Sequence, residues 1–364
     1  MADDFKYHID HHSSLIIPVE LAEARAAAGR GELGAEALRA VEDRLIREAL
    51  REQRRLGLAA VGDGQLRRRH ALAPVYEGVD GFGAATPAGE ARGPVAELLG
   101  ERLAPESRPL IGTPSARGRL VAGEAAFVTG ALPRPVLVAL PSPGFVLALT
   151  APADGASAEA VTALAGILRD EIAGLAAEGV AYVQLHNPLA GILLTHAGRE
   201  RAKSLGLDAD ALLARMLEAD GFVLEGLDAP EEFRVGLDLT TSGAGYDEQG
   251  YDTAAVTAFL DRQPFGRVHV EYPAAETARF PIELLKPGTV VSLGVVDVAS
   301  AQIEDVDALV DRIDQAAGVV DIDDIAISTN GGFAASPAAL TESQQRSKLQ
   351  LVEMTARYFW GNEL

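Results

Sequence analysis

The chain contains no cysteine among its 364 residues. Disulfides, thiolate metal sites, iron–sulfur clusters and a cysteine nucleophile are therefore excluded. Aromatic residues supply only 5%, so a core must be built from aliphatic side chains. Apolar residues at 48% are enough for a large one, and disorder is not indicated. Basic residues are few. The 32 Lys and Arg against 53 Asp and Glu give a formal net charge of −21. Such a field repels polyanions, so neither nucleic acid nor an anionic membrane surface is an expected partner. No apolar run reaches about 18 residues, so no membrane span is expected. The opening Met1 to Asp10 lacks the basic and apolar regions of a signal peptide. A cytoplasmic location is the resulting expectation.

What is present is an alternation of two hydrophobic periods. Ala35–Gln53 places Leu38, Val41, Leu45, Ile46 and Ala49 on one helical face. Ser157–Glu178, Gly198–Glu218, Asp252–Arg262, Glu304–Ala317 and Glu342–Tyr358 repeat that pattern. Between them lie short apolar runs of strand length: Leu58–Val61, Val136–Leu140, Ala181–Leu185, Val235–Leu239, Arg267–Val270, Val290–Val296 and Asp324–Ser328. An eighth strand near Tyr7–His12 is needed before the first helix. Strands alternating with helices predict βαβ units and a parallel sheet. Eight of them predict a single (β/α)8 TIM barrel over residues 1–364. An open doubly wound sheet is the alternative, but no Gly-x-Gly-x-x-Gly follows any strand. One stretch breaks the rhythm. Residues 67–135, rich in Gly, Pro and Arg, form an insertion far longer than an ordinary βα loop. It is read as a lid, a dimer contact or a structural excursion covering the barrel, with weak strands at Arg119–Val121 and Ala126–Val128.

Barrel enzymes build their sites at the C-terminal ends of the strands. Those ends offer His11, His12 and Ser14; Asp63 and Gln65; Ser142; His186 and Asn187; Asp238 and Thr240; Glu271 and Tyr272; Asp297; and Ser328, Thr329 and Asn330. Three histidines and several acids would thus converge on one mouth. Arg67–Arg69 read either as a substrate-anion contact or as a solvated basic face. Thr240–Gly245 reads as a mobile loop of small residues, or as one whose backbone N–H groups wrap an anionic group. Ser142 lacks the Gly-x-Ser-x-Gly elbow of a hydrolase nucleophile.

These strand-end motifs carry a resemblance. The chain resembles the catalytic C-terminal barrel of cobalamin-independent methionine synthase and its stand-alone short relatives. Asp10–Pro18 is similar to the family's His-x-Gly-Ser-Leu-x-Arg-Pro. Glu42-Asp43 and Asp63-Gly64-Gln65 resemble its Glu-Asp and Asp-Gly-Glu. Tyr182-x-Gln184-x-His186-Asn187-Pro188 stands where the family has Gln-x-Asp-Glu-Pro. Gly294–Asp297, Ile303-Glu304, Arg312-Ile313, Gly332-Phe333, Lys348-Leu349 and Trp360-Gly361 follow in the family's order. The resemblance implies the barrel fold and a methyltransferase ancestry.

It also implies a catalytic zinc held by His-x-Cys, Glu and a distant Cys, a site that would stabilise a substrate thiolate. Those positions are Asp238, Thr240, Glu271 and Gly331 here, so only the glutamate is retained. Of the family's homocysteine contacts, Ser14 matches, while two carboxylates have become Gln65 and His186. Three functions follow as expectations. The first is an enzyme acting on a small molecule by acid–base chemistry, with His186, Asp238, Glu271 and Asp63 as catalytic candidates. His11, His12, Ser14, Gln65, Asn187, Thr240 and Asn330 would then bind substrate. No family-type zinc is expected; if a divalent metal binds, Asp238, Glu271 and His186 are its candidate ligands. The second is methyl or alkyl transfer of the methionine synthase type. The third is a non-catalytic small-molecule-binding protein. A homodimer is among the expected assemblies.

Overall fold

Strands rich in Val, Leu and Ile need both faces covered, and parallel pairing with helices between the strands supplies that cover. The computed structural model describes residues 8–86, 90, 92–132, 135–152, 155–243 and 249–361. Among them, β1 (Val79–Phe82) and β2 (Leu110–Ala116) form a small antiparallel sheet. The main sheet is parallel and runs in chain order: β3 (Leu137–Pro141), β4 (Tyr182–His186), β5 (Arg234–Asp238), β6 (Arg267–Glu271), β7 (Val290–Val296) and β8 (Ile325–Thr329). Each lies within about one residue of the run expected from sequence.

The first two barrel segments join as single pairs. Val61 pairs with Val136 beside β3, and Ile9 pairs with Ile327 of β8, both parallel. With the six strands they complete the eight positions of a (β/α)8 barrel. The expected strand Leu58–Val61 is short for a local reason. Gln53 donates from Nε2 to Gly62 O at 2.7 Å and accepts from Gly62 N at 3.0 Å, taking groups that a ladder would use. The expected first strand begins at Tyr7, which lies outside the described residues. His11 ties the first segment to the second, donating from Nε2 to Ala60 O at 2.9 Å.

The helices pack outside the sheet. They are α1 (Val19–Gly29), α2 (Ala35–Arg55), α3 (Ala73–Gly78), α4 (Pro94–Leu103), α5 (Ala122–Ala131), α6 (Pro143–Thr150) and α7 (Ala158–Ala177). There follow α8 (Pro188–Leu193), α9 (His196–Ser204), α10 (Ala209–Phe222), α11 (Thr253–Arg262), α12 (Val306–Ala317) and α13 (Glu342–Trp360). Several of their starts are marked by side-chain caps. Ser157, Asp252 and Asp305 accept first-turn N–H groups, and Thr341 with Gln344 forms a capping box. In α12, Leu309, Ile313 and Ala316 are fully buried, so Ile313→Ala should cost about 2–5 kcal/mol.

Two expectations are corrected. Gly198–Glu218 is two helices, because Gly206 takes φ +76° and Asp208 caps a new start by accepting Ala211 N at 3.0 Å. The strand expected at Ala126–Val128 lies inside α5, whose alanines favour helix. Arg119–Val121 is not a strand either; its backbone N–H groups at Leu120 and Val121 donate to the Glu171 carboxylate instead. No helix among the described residues is long and apolar enough to cross a membrane.

Candidate active site at the barrel mouth

The barrel interior reverses the usual strand pattern. In β6, Val268 and Val270 face the surrounding helices, while Arg267, His269 and Glu271 alternate on the other face. In β4, Tyr182, Gln184 and His186 do the same. Polar side chains therefore rise in layers from the barrel centre to its mouth. Gly236 permits one of these layers: a Cβ there would come within 2.9 Å of the Tyr182 hydroxyl.

Asp10 and Arg267 form the lower centre. Both are buried, and Arg267 Nε donates to Asp10 Oδ2 at 3.1 Å. Burial alone would raise the Asp10 carboxyl, but the guanidinium holds it below its usual value. His11 N donates to Asp10 Oδ1 at 2.8 Å. Gln184 Nε2 donates to His11 O at 2.9 Å. The Tyr182 hydroxyl bonds His269 Nε2. Burial pushes His269 down to about 4, with Asp10 opposing. His269 is therefore neutral.

Asp238, at the C-terminal end of β5, organises the upper centre. Its Oδ2 accepts from His12 Nδ1 at 2.9 Å and from His186 Nδ1 at 3.0 Å. Its Oδ1 accepts from Thr240 N at 2.9 Å and Thr240 Oγ1 at 2.7 Å. Four donors fill the lone pairs of one carboxylate. Burial would raise this carboxyl, but the two histidines hold it well below the usual range. His12 also donates from Nε2 to Thr329 O at 2.8 Å. With both ring nitrogens donating, His12 is an imidazolium; burial opposes the charge, and Asp238 outweighs it to raise the pKa.

His186 differs from its neighbour. Its side chain is 24% exposed, and Nδ1 is held by Asp238. The far edge of the ring, with Nε2, faces a cavity of about 290 Å³ at the barrel mouth. Ser14, Gln65, His12 and Asp238 also line this cavity. The segment after residue 66 supplies the opposite wall through Arg68, Arg69, His70, Glu101 and Arg102.

The remaining candidates have other roles. His11 lies beneath the mouth, not on its rim: Nε2 donates to Ala60 O, and Nδ1 accepts from Ser13 N at 3.1 Å. Asn187 caps α8 by accepting Ala190 N and donates from Nδ2 to Asp220 at 3.0 Å. Asn330 joins the loops after β7 and β8, donating to Asp297 Oδ1 and accepting from Val298 N, each at 2.8 Å. Thr240 positions Asp238. Asp63 is buried, accepts from Gln65 N at 2.8 Å, and leaves Oδ2 without a partner. Burial pushes its carboxyl up to about 6, with Glu124 adding. Glu271 holds the loop after β5, its Oε1 accepting from Thr241 N, Thr241 Oγ1 and Gly243 N at 2.8 to 3.1 Å. Burial pushes it up to about 7 against those donors. The end of that loop, Ala244 and Gly245, lies outside the described residues.

The solvated basic face expected at Arg67–Arg69 is also corrected. Arg67 is buried against Asp43 and stacks over Phe127, 4.4 Å from the ring centroid. Arg68 is buried between Glu124 at 2.8 Å and Ala139 O at 2.7 Å. Only Arg69, paired with Glu77, is exposed.

The zinc implied by the resemblance does not fit the residues present. The Asp238 oxygens are saturated, and Thr240 is spent on them. Glu271 Oε1 already accepts three hydrogen bonds. A Cβ at Gly331 would lie 2.4 Å from Ser242 Oγ and 2.6 Å from Ser242 N, so no side chain can enter from that position. Asp238, Glu271 and His186 do not converge as a metal triad either. Among the described residues, no group of three or more His, Asp or Glu side chains is placed to hold a metal.

Sequence reasoning missed Asp220. It accepts from Gly144 N, Ser142 Oγ and Asn187 Nδ2, pinning the ends of β3 and β4, and burial pushes it up to about 6. It sits inside a helix, where no strand-end rule would find it. The Arg267–His269–Glu271 alternation was a readable signal for the lower centre.

Comparison with known proteins completes the picture. No family model matches the chain. The uncharacterized protein YxjH of Bacillus subtilis (strain 168) is 25% identical over 372 residues, spanning 97% of this chain and 95% of that protein. YxjG of the same organism is 28% identical over 189 residues, about half of each chain. A Listeria monocytogenes protein described as a vitamin-B12-independent methionine synthase superposes with a TM-score of 0.76 at 19% identity, covering 99% of this chain and 100% of that one. A B12-independent methionine synthase from Shewanella sp. W3-18-1, in complex with selenomethionine, gives 0.68 at 20% identity over 90% of each chain. A methyltransferase from Methanosarcina mazei gives 0.53 at 11% identity over 98% of this chain and 95% of that one. In fold, the chain is a (β/α)8 barrel of the cobalamin-independent methionine synthase type.

Proposed function

We propose that this protein is an enzyme acting on a small anionic molecule by acid–base chemistry, without the thiolate zinc site that the family resemblance implies. One observation carries the reading: His186 is held at Nδ1 by a buried carboxylate and turns its other ring edge to a cavity. That is the geometry of an oriented general base. With Nδ1–H donated to Asp238, the Nε2 lone pair accepts a proton from a bound C–H or O–H group. The imidazolium that forms is stabilised by Asp238. Thr240 and His12 keep that carboxylate fixed and ionised. Of the arginines on the facing wall, Arg68 and Arg69 are paired with Glu124 and Glu77, so Arg102, beside Glu101, is the one offered to an anion, in a chain whose net charge is −21. The segment 67–135 then acts as a cover that brings these arginines over the mouth.

The test is proton exchange. A panel of small carboxylic acids is incubated with the protein in D2O and followed by proton NMR. Exchange at one substrate is expected, falling at least about 100-fold in His186→Gln, as loss of a general base requires. Added zinc or EDTA should leave the rate unchanged. Absence of exchange and turnover across the panel, or full activity in His186→Gln, overturns the proposal.

Methyl transfer is the second reading. It is favoured by the Shewanella neighbour, which is in complex with selenomethionine, and by the Methanosarcina methyltransferase. Here His186 would deprotonate the acceptor, since a free thiol is only a few per cent ionised at pH 7. Movement of a ¹³C-methyl label between a methylated donor and a thiol would select it.

A further inference from the structure

A second cavity lies behind the strand-end loops, with a volume of about 640 Å³, and it shares no lining residue with the first. That size is ample for a drug-sized ligand. Much of its wall is apolar: Leu147 and Leu149 from α6, Val161 from α7, Leu212 and Met216 from α10, and Val95 from α4. Nothing in the acid–base reading uses it.

One polar feature stands out. Arg92 lines this cavity, and its Nη2 is buried without a hydrogen-bond partner. A guanidinium N–H removed from water and left unpaired is costly, and a carboxylate is its best-matched partner. Arg215 and Glu218, of opposite charge, also line this cavity. We infer that this cavity binds an aliphatic monocarboxylate, with its chain among the α6 and α10 side chains and its carboxylate on Arg92. The site is separate from the His186 centre and stands whether or not the proposed reaction is correct.

Calorimetric titration with octanoate tests this, with 1-octanol as the uncharged probe. Octanoate should saturate at one per chain. Arg92→Leu should weaken octanoate at least tenfold and leave octanol within twofold. Arg92→Lys keeps the charge and should retain part of the affinity. Ala148→Trp, which fills the cavity, should abolish both, with thermal unfolding used to confirm that each variant is folded. Absence of saturable octanoate binding to the wild type overturns the inference. So does unchanged octanoate affinity in Arg92→Leu.

Discussion

The barrel holds two aspartate–histidine centres, one above the other, with opposite protonation. At the lower centre Asp10 is neutralised by Arg267, and the nearby His269 is forced neutral. At the upper centre Asp238 meets no arginine among the described residues, so His12 carries the balancing charge. The two histidine rings are only 5.5 Å apart. The lesson is that a buried carboxylate kept ionised needs one cation, and the strongest base within reach supplies it. His269 loses that competition to a guanidinium. His12 has no such competitor. His186, bonded to the same Asp238 oxygen as His12, keeps a free ring edge because the cavity reaches it.

The largest test breaks the lower centre. Asp10→Asn leaves Arg267 buried without a carboxylate and should cost about 3–5 kcal/mol in urea unfolding. A loss under about 1 kcal/mol would mean that Asp10 is not the charge partner. The next test reads the two histidines through pH. His269 has a folded pKa of about 4, against about 6.5 unfolded. Its contribution is intact above about pH 6.5 and falls by about 3 kcal/mol as pH drops toward 4. His12 is raised, so its contribution is full below about pH 6.5 and is lost as pH rises through the folded value. Urea unfolding from pH 4 to 8 should lose its acid slope in His269→Asn and its alkaline slope in His12→Asn.

Glu271 gives a smaller effect of definite sign. Its folded pKa of about 7 lies above the unfolded value, so the folded state binds the proton more tightly. Stability should therefore decline between about pH 4.5 and 7. Glu271→Gln retains an acceptor for the Thr241 and Gly243 donors and removes that charge. It should stabilise by about 2 kcal/mol at pH 8 and by little at pH 4.5, read from melting temperatures. Thr240→Val removes one donor to Asp238 and should cost about 1–2 kcal/mol in urea unfolding. The smallest effect is Arg69→Ala. Its pair with Glu77 is exposed, and the change should stay within about 0.5 kcal/mol in the same assay.

Several residues that carried the family resemblance prove to be braces of the fold. Lys348 is fully buried, donating to Gln302 O at 2.7 Å and facing Glu304 at 3.2 Å. Arg312 donates to Val295 O at 2.9 Å and to Tyr272 O at 3.2 Å. These residues act through packing, so they report architecture more strongly than chemistry.

Period and composition were enough to determine the alternation of helices and strands, because burying one face dictates where apolar residues fall. They placed all eight barrel segments, six of which form strands and two of which join as single pairs, and they put His12, His186 and Asp238 at one end. The roles within that set were decided only by the tertiary structure. Asp63, Asn187, Asp238, Glu271 and Asn330 are all polar residues at strand ends, and nothing local separates them. Their partners come from elsewhere in the chain: Asp238 from His12, 226 residues away, and Glu271 from the loop 28–30 residues before it. Protonation and exposure depend on what surrounds a side chain in three dimensions. That is why the sequence named the candidates, and only the packing left His186 with a ring edge facing the cavity.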